Sequence, residues 1–202
     1  MATVALVLYG VYLLLAFGLR TLIQLRRTGS TGFHGLGGRP GSAEWIAGVG
    51  FTLALLLGAA APVLALLDLV EPIAALDSAG LHAAGLVLAL GGIALTFYAQ
   101  VAMGSSWRIG VDPAERTKLV TSGPFALVRN PIFAAMLPTA LGLTLLVPSW
   151  AALAGLVGLV VALELQVRVV EEPYLVRAHP DTYPDYAARV GRFVPGVGLR
   201  RD

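Results

Sequence analysis

The chain has 202 residues, of which 57% are hydrophobic and 13% are charged, and its mean hydropathy is +0.79. A soluble domain carries about 25% charged residues, so this composition excludes an ordinary soluble fold and indicates an integral membrane protein. The absence of cysteine excludes disulfides, thiolate nucleophiles and Cys-ligated metals. The three histidines, His34, His82 and His179, have no ligand spacing, so we expect no metal site.

Five apolar segments predict an all-α integral membrane protein with five transmembrane helices. The fourth segment is short and contains Pro138, so we expect it to form a helical hairpin with the fifth. The first has its arginines after the apolar stretch rather than before it, which indicates a retained span rather than a signal peptide. The predicted spans cover residues 2–19, 45–67, 81–103, 132–147 and 151–170.

The distribution of positive charge predicts the topology. All 14 lysines and arginines lie after the first or third predicted span, or at the end of the fifth and beyond. The positive-inside rule therefore predicts an N-terminus outside and a C-terminus in the cytoplasm. We expect one membrane domain of a bacterial plasma membrane, in which residues 1–103 supply three spans and residues 104–202 supply the hairpin and a cytoplasmic tail.

Two polar stretches interrupt the spans. Residues 28–43 contain six glycines but neither a GxxxxGK[ST] motif nor a GxGxxG between strand and helix, so they predict a mobile linker. Residues 119–133 contain Gly123-Pro124, which breaks regular structure, and Pro131, which suits the first turn of a helix. This second stretch is either a turn that enters the membrane or the wall of a site.

Charges cluster at the end of the fifth span. Spacings of four and three residues predict that Glu164, Arg168 and Glu171 share one helix face. Charges within a span normally face the bundle interior or a wet cavity, although Glu164 and Arg168 alternatively pair with each other. The tail that follows carries tyrosines and arginines able to cover an organic cation such as a sulfonium, or to lie on the membrane surface.

Several motifs occur here in a recognisable order: Leu119-Val-Thr-Ser-Gly-Pro-Phe125, Val128-Arg-Asn-Pro-Ile-Phe133, a hairpin, Glu171-Glu172, and Tyr186 leading to Arg192-Phe-Val-Pro195. About the last hundred residues thereby resemble the isoprenylcysteine carboxyl methyltransferase family, and the phospholipid N-methyltransferases are similar in the same region. The resemblance implies a membrane enzyme that binds S-adenosylmethionine in a cytoplasm-facing pocket. It implies a lipophilic or lipidated substrate that enters from the bilayer, with no nucleic acid or metal as a partner.

The resemblance also implies roles for particular residues. Arg129, Asn130 and Glu172 are expected to be catalytic. Substrate contacts are expected from the residues themselves rather than from the resemblance, at Trp107 and Arg108 in the polar patch 104–110 and at Glu164 and Arg168. Phe125, Asn130 and Phe133 stand where the family commonly has Tyr, His and Tyr, and Val167 stands where it has a substrate-contacting arginine. The expected cofactor contacts are Thr117, Lys118, Leu119, Val120, Gly123, Phe125, Asn130, Pro131, Ile132, Phe133, Glu171 and Tyr186.

The methyl acceptor stays open. A carboxylate is ionised at neutral pH and needs no base, whereas an amine or hydroxyl needs a proton acceptor, for which Glu172, Tyr186 or His179 are candidates. Two other functions compete with methyl transfer. Sterol reductases are similar over the same hairpin and tail but use a nicotinamide dinucleotide phosphate, and a small transporter or scaffold would use Glu164 and Arg168 to line a path.

Overall fold

The computed structural model describes residues 1–33, 35, 37–108, 110 and 118–200, and within these ranges the chain is helical with no named strand. Four helices are long and apolar enough to cross a membrane, and α4 is a shorter apolar helix. The helices are α1 (Ala2–Thr28), α2 (Ala43–Leu66), α3 (Ala79–Ala102), α4 (Pro131–Leu146), α5 (Trp150–Ala178) and α6 (Tyr183–Arg189).

Local sequence explains where these helices start. Ser42, Ser78 and Ser149 precede α2, α3 and α5, and each hydroxyl accepts a hydrogen bond from a backbone amide of the first turn. Pro131 begins α4, where its missing amide hydrogen costs nothing. The all-α fold is therefore confirmed, while α4 spans only about 24 Å at 1.5 Å per residue, so a fifth crossing and the orientation stay predictions.

Helix α1 continues beyond residue 19, where the first span was predicted to end, because Arg20 is accommodated inside the bundle. Its side chain is 1% exposed and donates to the carbonyls of Gln100 (3.2 Å) and Gly104 (2.5 Å). Its guanidinium also lies 4.6 Å from the ring centroid of Trp107, a cation–π contact. Arg20 thus joins α1 to the end of α3.

Small residues allow α3 and α4 to pack at backbone contact. A Cβ at Gly142 would lie 2.4 Å from the amide nitrogen of Ala89, and one at Gly92 would lie 2.3 Å from Thr139 Oγ1. This contact fixes the start of α4 relative to the end of α3.

We expect Gly92→Val to destabilise the protein by about 1–3 kcal/mol, because the new side chain overlaps α4. Gly91→Val is the matched control, since a Cβ at this neighbouring, exposed position meets nothing within 4 Å. Equilibrium unfolding in detergent measures both variants. Equal stability of the two would contradict the close packing.

Helix α5 differs from its prediction in its length and its phase. It continues through Glu171, Glu172 and Pro173 to Ala178, although the tail was predicted to begin at Glu171. A π-helical turn at Gln166–Glu171 widens the helix just before Pro173 and shifts the residues that follow around the axis. The prediction that Glu164, Arg168 and Glu171 share one face is therefore wrong.

Candidate active site

A cavity of about 390 Å³ lies at the end of the bundle where α3 ends and α4 begins. Most of the residues expected to contact a cofactor border it, although they come from distant parts of the sequence. They are Lys118, Leu119, Val120, Phe125, Asn130, Pro131, Ile132, Phe133, Glu171 and Tyr186. The stretch 119–133 is thus a cavity wall and not only a membrane-entry turn.

The remaining predicted residues divide into several groups. Trp107 and Arg108 border the cavity, as expected for substrate contacts. Gly123 is not among its lining residues but begins the turn that carries Phe125, with a left-handed φ of 60° that favours glycine. Thr117 lies outside the described residues.

Glu164 and Arg168, the other two expected substrate contacts, form an ion pair with each other. Their side chains are 38% and 58% exposed, and neither belongs to the described lining of the cavity. The structure therefore brings Glu164 and Arg168 together with each other but not into the described cavity lining, to which Glu171 belongs.

The wall is held by a cluster of three charged side chains, the Arg129–Glu172–Arg192 cluster. Glu172 Oε1 accepts hydrogen bonds from Arg129 Nη2 at 2.8 Å and from Arg192 Nε at 2.8 Å. Glu172 Oε2 accepts one from Arg192 Nη2 at 2.9 Å. The hydrogen bond to Glu172 raises the pKa of Arg192, so Arg192 stays charged at neutral pH.

Arg129 also fastens the tail to the start of α4. Its Nη1 donates to the carbonyls of Ala187 (2.9 Å) and Val190 (2.5 Å), and its Nη2 donates to the carbonyl of Gly198 (3.0 Å). The Arg129 amide donates to the carbonyl of Gly191 at 2.7 Å. With 6% exposure, Arg129 is a buried charge whose two terminal nitrogens are fully engaged.

Asn130 and Tyr186 complete this wall. The backbone and side-chain nitrogens of Asn130 both donate to the carbonyl of Arg192, at 3.1 and 3.2 Å, which leaves its side-chain oxygen as an acceptor for a ligand. The Tyr186 hydroxyl donates to the carbonyl of Phe125 at 2.6 Å. Burial raises the pKa of Tyr186 to about 12, so this hydroxyl stays protonated and keeps donating at neutral pH.

Two buried polar atoms next to the cavity lack a hydrogen-bond partner within the part of the chain that the structure describes. They are Arg129 Nε, a donor, and Gln100 Oε1, an acceptor, and both residues border the cavity. Buried polar atoms of this kind are rarely left unpaired in proteins. They therefore fit a ligand that carries both acceptor and donor groups.

The sequence interpretation missed the opposite wall. Phe33, Gly35 and Gly37 of the glycine-rich stretch border the cavity, so that stretch is part of the site as well as a connection. Glu44 and its neighbours on α2 also line it. The sequence predicted the apolar span that forms α2, but an acidic residue in a first helical turn is too common to indicate a site.

Comparison with known protein families gives a match for this chain. The model for the phospholipid methyltransferase family matches residues 81–182. The chain belongs to the phospholipid methyltransferase family. No curated protein matches the chain.

The phospholipid methyltransferase match covers α3, α4 and α5, and with them the wall at residues 118–133 and Glu171. Together with the apolar helices, it identifies an integral membrane methyltransferase. The relationship inferred from the sequence motifs is confirmed at this level, while the narrower assignment to isoprenylcysteine carboxyl methylation stays a prediction. Helices α1 and α2, which close the cavity on the other side, lie outside the matched region.

Proposed function

We propose that this phospholipid methyltransferase family member transfers a methyl group from S-adenosylmethionine, bound in the 390 Å³ cavity, to a lipophilic acceptor that arrives from the bilayer. One observation carries the proposal. Residues implied to contact the cofactor, from Lys118 to Phe133 and at Glu171, meet around a single cavity despite their separation in sequence.

The residues present fit the cofactor. Glu171 suits the ribose hydroxyls or the amino group, and the unpaired Arg129 Nε and Gln100 Oε1 suit the carboxylate and amino groups of the methionine part. The rings of Phe125 and Phe133 suit a sulfonium or an adenine face. When bound, S-adenosylmethionine supplies an electrophilic methyl group; the protein holds donor and acceptor in line and excludes water.

The contacts of Glu172 and Tyr186 favour positioning roles over proton transfer. Glu172 accepts three hydrogen bonds from arginines, and the Tyr186 hydroxyl is committed to the Phe125 carbonyl. Arg129 holds the wall through its two terminal nitrogens, which leaves only its Nε for a ligand. Asn130, whose side-chain oxygen is available, is the member of the expected catalytic set best suited to touch a ligand.

The acceptor classes that fit the family are a phospholipid amine or another small amphiphile, with a carboxylate or thiol as alternatives. The positive-inside distribution supports a cavity that opens towards the cytoplasm. A hydrophobic acceptor reaches it laterally, through the membrane-facing helices.

A thermal-shift panel on the detergent-purified protein tests the proposed cofactor. S-adenosylmethionine at 100 times its dissociation constant is expected to stabilise the protein by about 2.7 kcal/mol, whereas the reduced dinucleotide phosphate is expected to have no effect. A response to the dinucleotide alone would replace the proposal with a reductase. A response to neither, with substrate flux into liposomes, would favour the transporter.

A further inference from the structure

A patch of buried polar side chains joins the second half of α1 to the end of α3, beside the cavity. Arg20 and Gln24 lie four residues apart on α1, which places them on one helix face, and they are 1% and 4% exposed. Gln100 on α3 is also buried. The family match begins at residue 81, so the patch ties a helix outside the matched region to one inside it.

Gln100 is anchored to α1 at a π-helical turn. The turn spans Leu14–Leu19, and the amide of Arg20 that follows it is directed at the carbonyls on either side of Ala16. The carbonyl of Ala16 accepts a hydrogen bond from Gln100 Nε2 at 3.0 Å. This contact engages the nitrogen of the Gln100 side-chain amide and leaves its oxygen, Oε1, to act as an acceptor.

The side-chain oxygen of Gln100 is buried and has no hydrogen-bond partner in the part of the chain that the structure describes. Gln100 borders the cavity, and a buried acceptor that lacks a donor is rare in proteins. A donor group on a ligand in the cavity would satisfy this oxygen. In the proposed function, that donor is the amino group of the methionine part of S-adenosylmethionine.

Arg20 fixes the backbone around Gln100. Its Nε donates to the carbonyl of Gln100 at 3.2 Å, and its Nη2 donates to the carbonyl of Gly104 at 2.5 Å. Its Nη1 donates to Gln24 Oε1 at 3.2 Å, and Gln24 Nε2 donates in turn to the carbonyl of Ser105 at 2.9 Å. These two side chains of α1 thus hold the chain across the end of α3.

The guanidinium of Arg20 also lies against Trp107, a residue of the cavity wall. Its carbon Cζ is 4.6 Å from the ring centroid. Burying a charge is costly, and apolar packing between α1 and α3 would join these helices without that cost. A forked donor that aligns two carbonyls and a ring beside the cavity accounts for an arginine here.

We propose that Arg20 is a positioning residue of the cofactor site and that it acts through Gln100. The inference rests on the proposed methyl transfer and adds α1 to the elements that perform it. Arg20 is not part of the described cavity lining, so it does not contact the cofactor itself. Its fixed donors keep the Gln100 oxygen directed at the amino group of the cofactor, which reduces the conformational freedom that is lost on binding.

A double-variant cycle on the full-length protein in nanodiscs tests the inference, with titration calorimetry of S-adenosylhomocysteine as the measurement. We expect Gln100→Met and Arg20→Met each to weaken binding about tenfold, as for loss of a hydrogen bond to a charged group. The double variant should bind about as weakly as either single variant, because residues that act through one contact are not additive. Arg20→Lys should retain part of the affinity, since lysine keeps the charge but not the fork.

Arg26→Met is the matched control, because Arg26 lies on the same helix but is exposed, and this variant should bind as the wild type does. Fluorescence of Trp107, in a Trp45→Phe and Trp150→Phe background, gives a second measurement. Acrylamide should quench Trp107 more strongly in Arg20→Met than in Arg26→Met, because the ring loses the guanidinium that packs against it.

The outcomes separate this inference from the proposed function. Wild-type affinity in folded Arg20→Met, or losses that add in the double variant, would overturn the role of Arg20, while methyl transfer would stand. If Arg20→Met does not fold, Arg20→Lys replaces it in the same cycle and is judged in the same way. If the wild type binds neither S-adenosylmethionine nor S-adenosylhomocysteine, the proposed function fails and this inference fails with it.

Discussion

Replacing Arg129 with methionine is expected to destabilise the protein by about 3–5 kcal/mol, the usual cost of removing one partner from a buried ionic network. Methionine has a similar length but cannot donate hydrogen bonds. The carbonyls of Ala187, Val190 and Gly198 would lose their donors, and Glu172 would keep only Arg192. Equilibrium unfolding in detergent measures the loss.

Arg168→Met is the matched control for this prediction. Arg168 also pairs with a glutamate, but both partners are substantially exposed, so its replacement is expected to cost less than about 1 kcal/mol. Similar losses from the two variants would show that the contacts of Arg129 with the tail contribute little to stability.

The second large effect is expected at Glu171. Glu171→Gln keeps the shape of the side chain and removes its charge, and we expect it to weaken S-adenosylmethionine binding by about 10- to 100-fold, as charged hydrogen bonds contribute about 1.5–3 kcal/mol. Titration calorimetry on the purified protein measures the affinity.

Glu164→Gln provides the comparison for Glu171, since Glu164 lies seven residues earlier on the same helix but outside the described cavity lining. Its variant should bind the cofactor with unchanged affinity. An unchanged affinity in Glu171→Gln would instead remove Glu171 from the cofactor site.

The helices could be predicted from the sequence because burial in lipid requires long apolar segments with satisfied backbones. Four of the five predicted segments begin within two residues of the observed helices, and the first begins at the same residue. The end of α5 was harder to predict. Pro173 normally ends a helix, but α5 continues past it, after a π-helical turn at Gln166–Glu171.

The cavity wall at residues 119–133 could also be predicted from the sequence, but for a different reason. The stretch from Leu119 to Phe133 has a recognisable order of residues, so its place at a site followed from resemblance. The contacts that hold this wall could not be foreseen. Arg129 reaches carbonyls about 60 residues away, and backbone acceptors leave no signature in the side chains that carry them.

The part of the cavity wall formed by α2 likewise could not be predicted from the sequence. Gly48, Phe51 and Leu55 have an ordinary apolar spacing, which a lipid-facing helix would share. Only the fold reveals that this face points inward and that Glu44 lies at its end. Likewise, six glycines predicted mobility in residues 28–43, yet Gly38 is needed for close approach to Glu44.

The hydrogen bond from Arg129 to Gly198 has a consequence for biogenesis. The apolar helices that the structure describes all precede residue 179, so the membrane-entering segments do not include the tail that Arg129 binds. The wall at Arg129 is complete only when the chain extends to Gly198. Chains truncated before Gly198 should therefore enter the membrane yet be more protease-sensitive at residues 119–130 than the full-length chain, in which the tail docks.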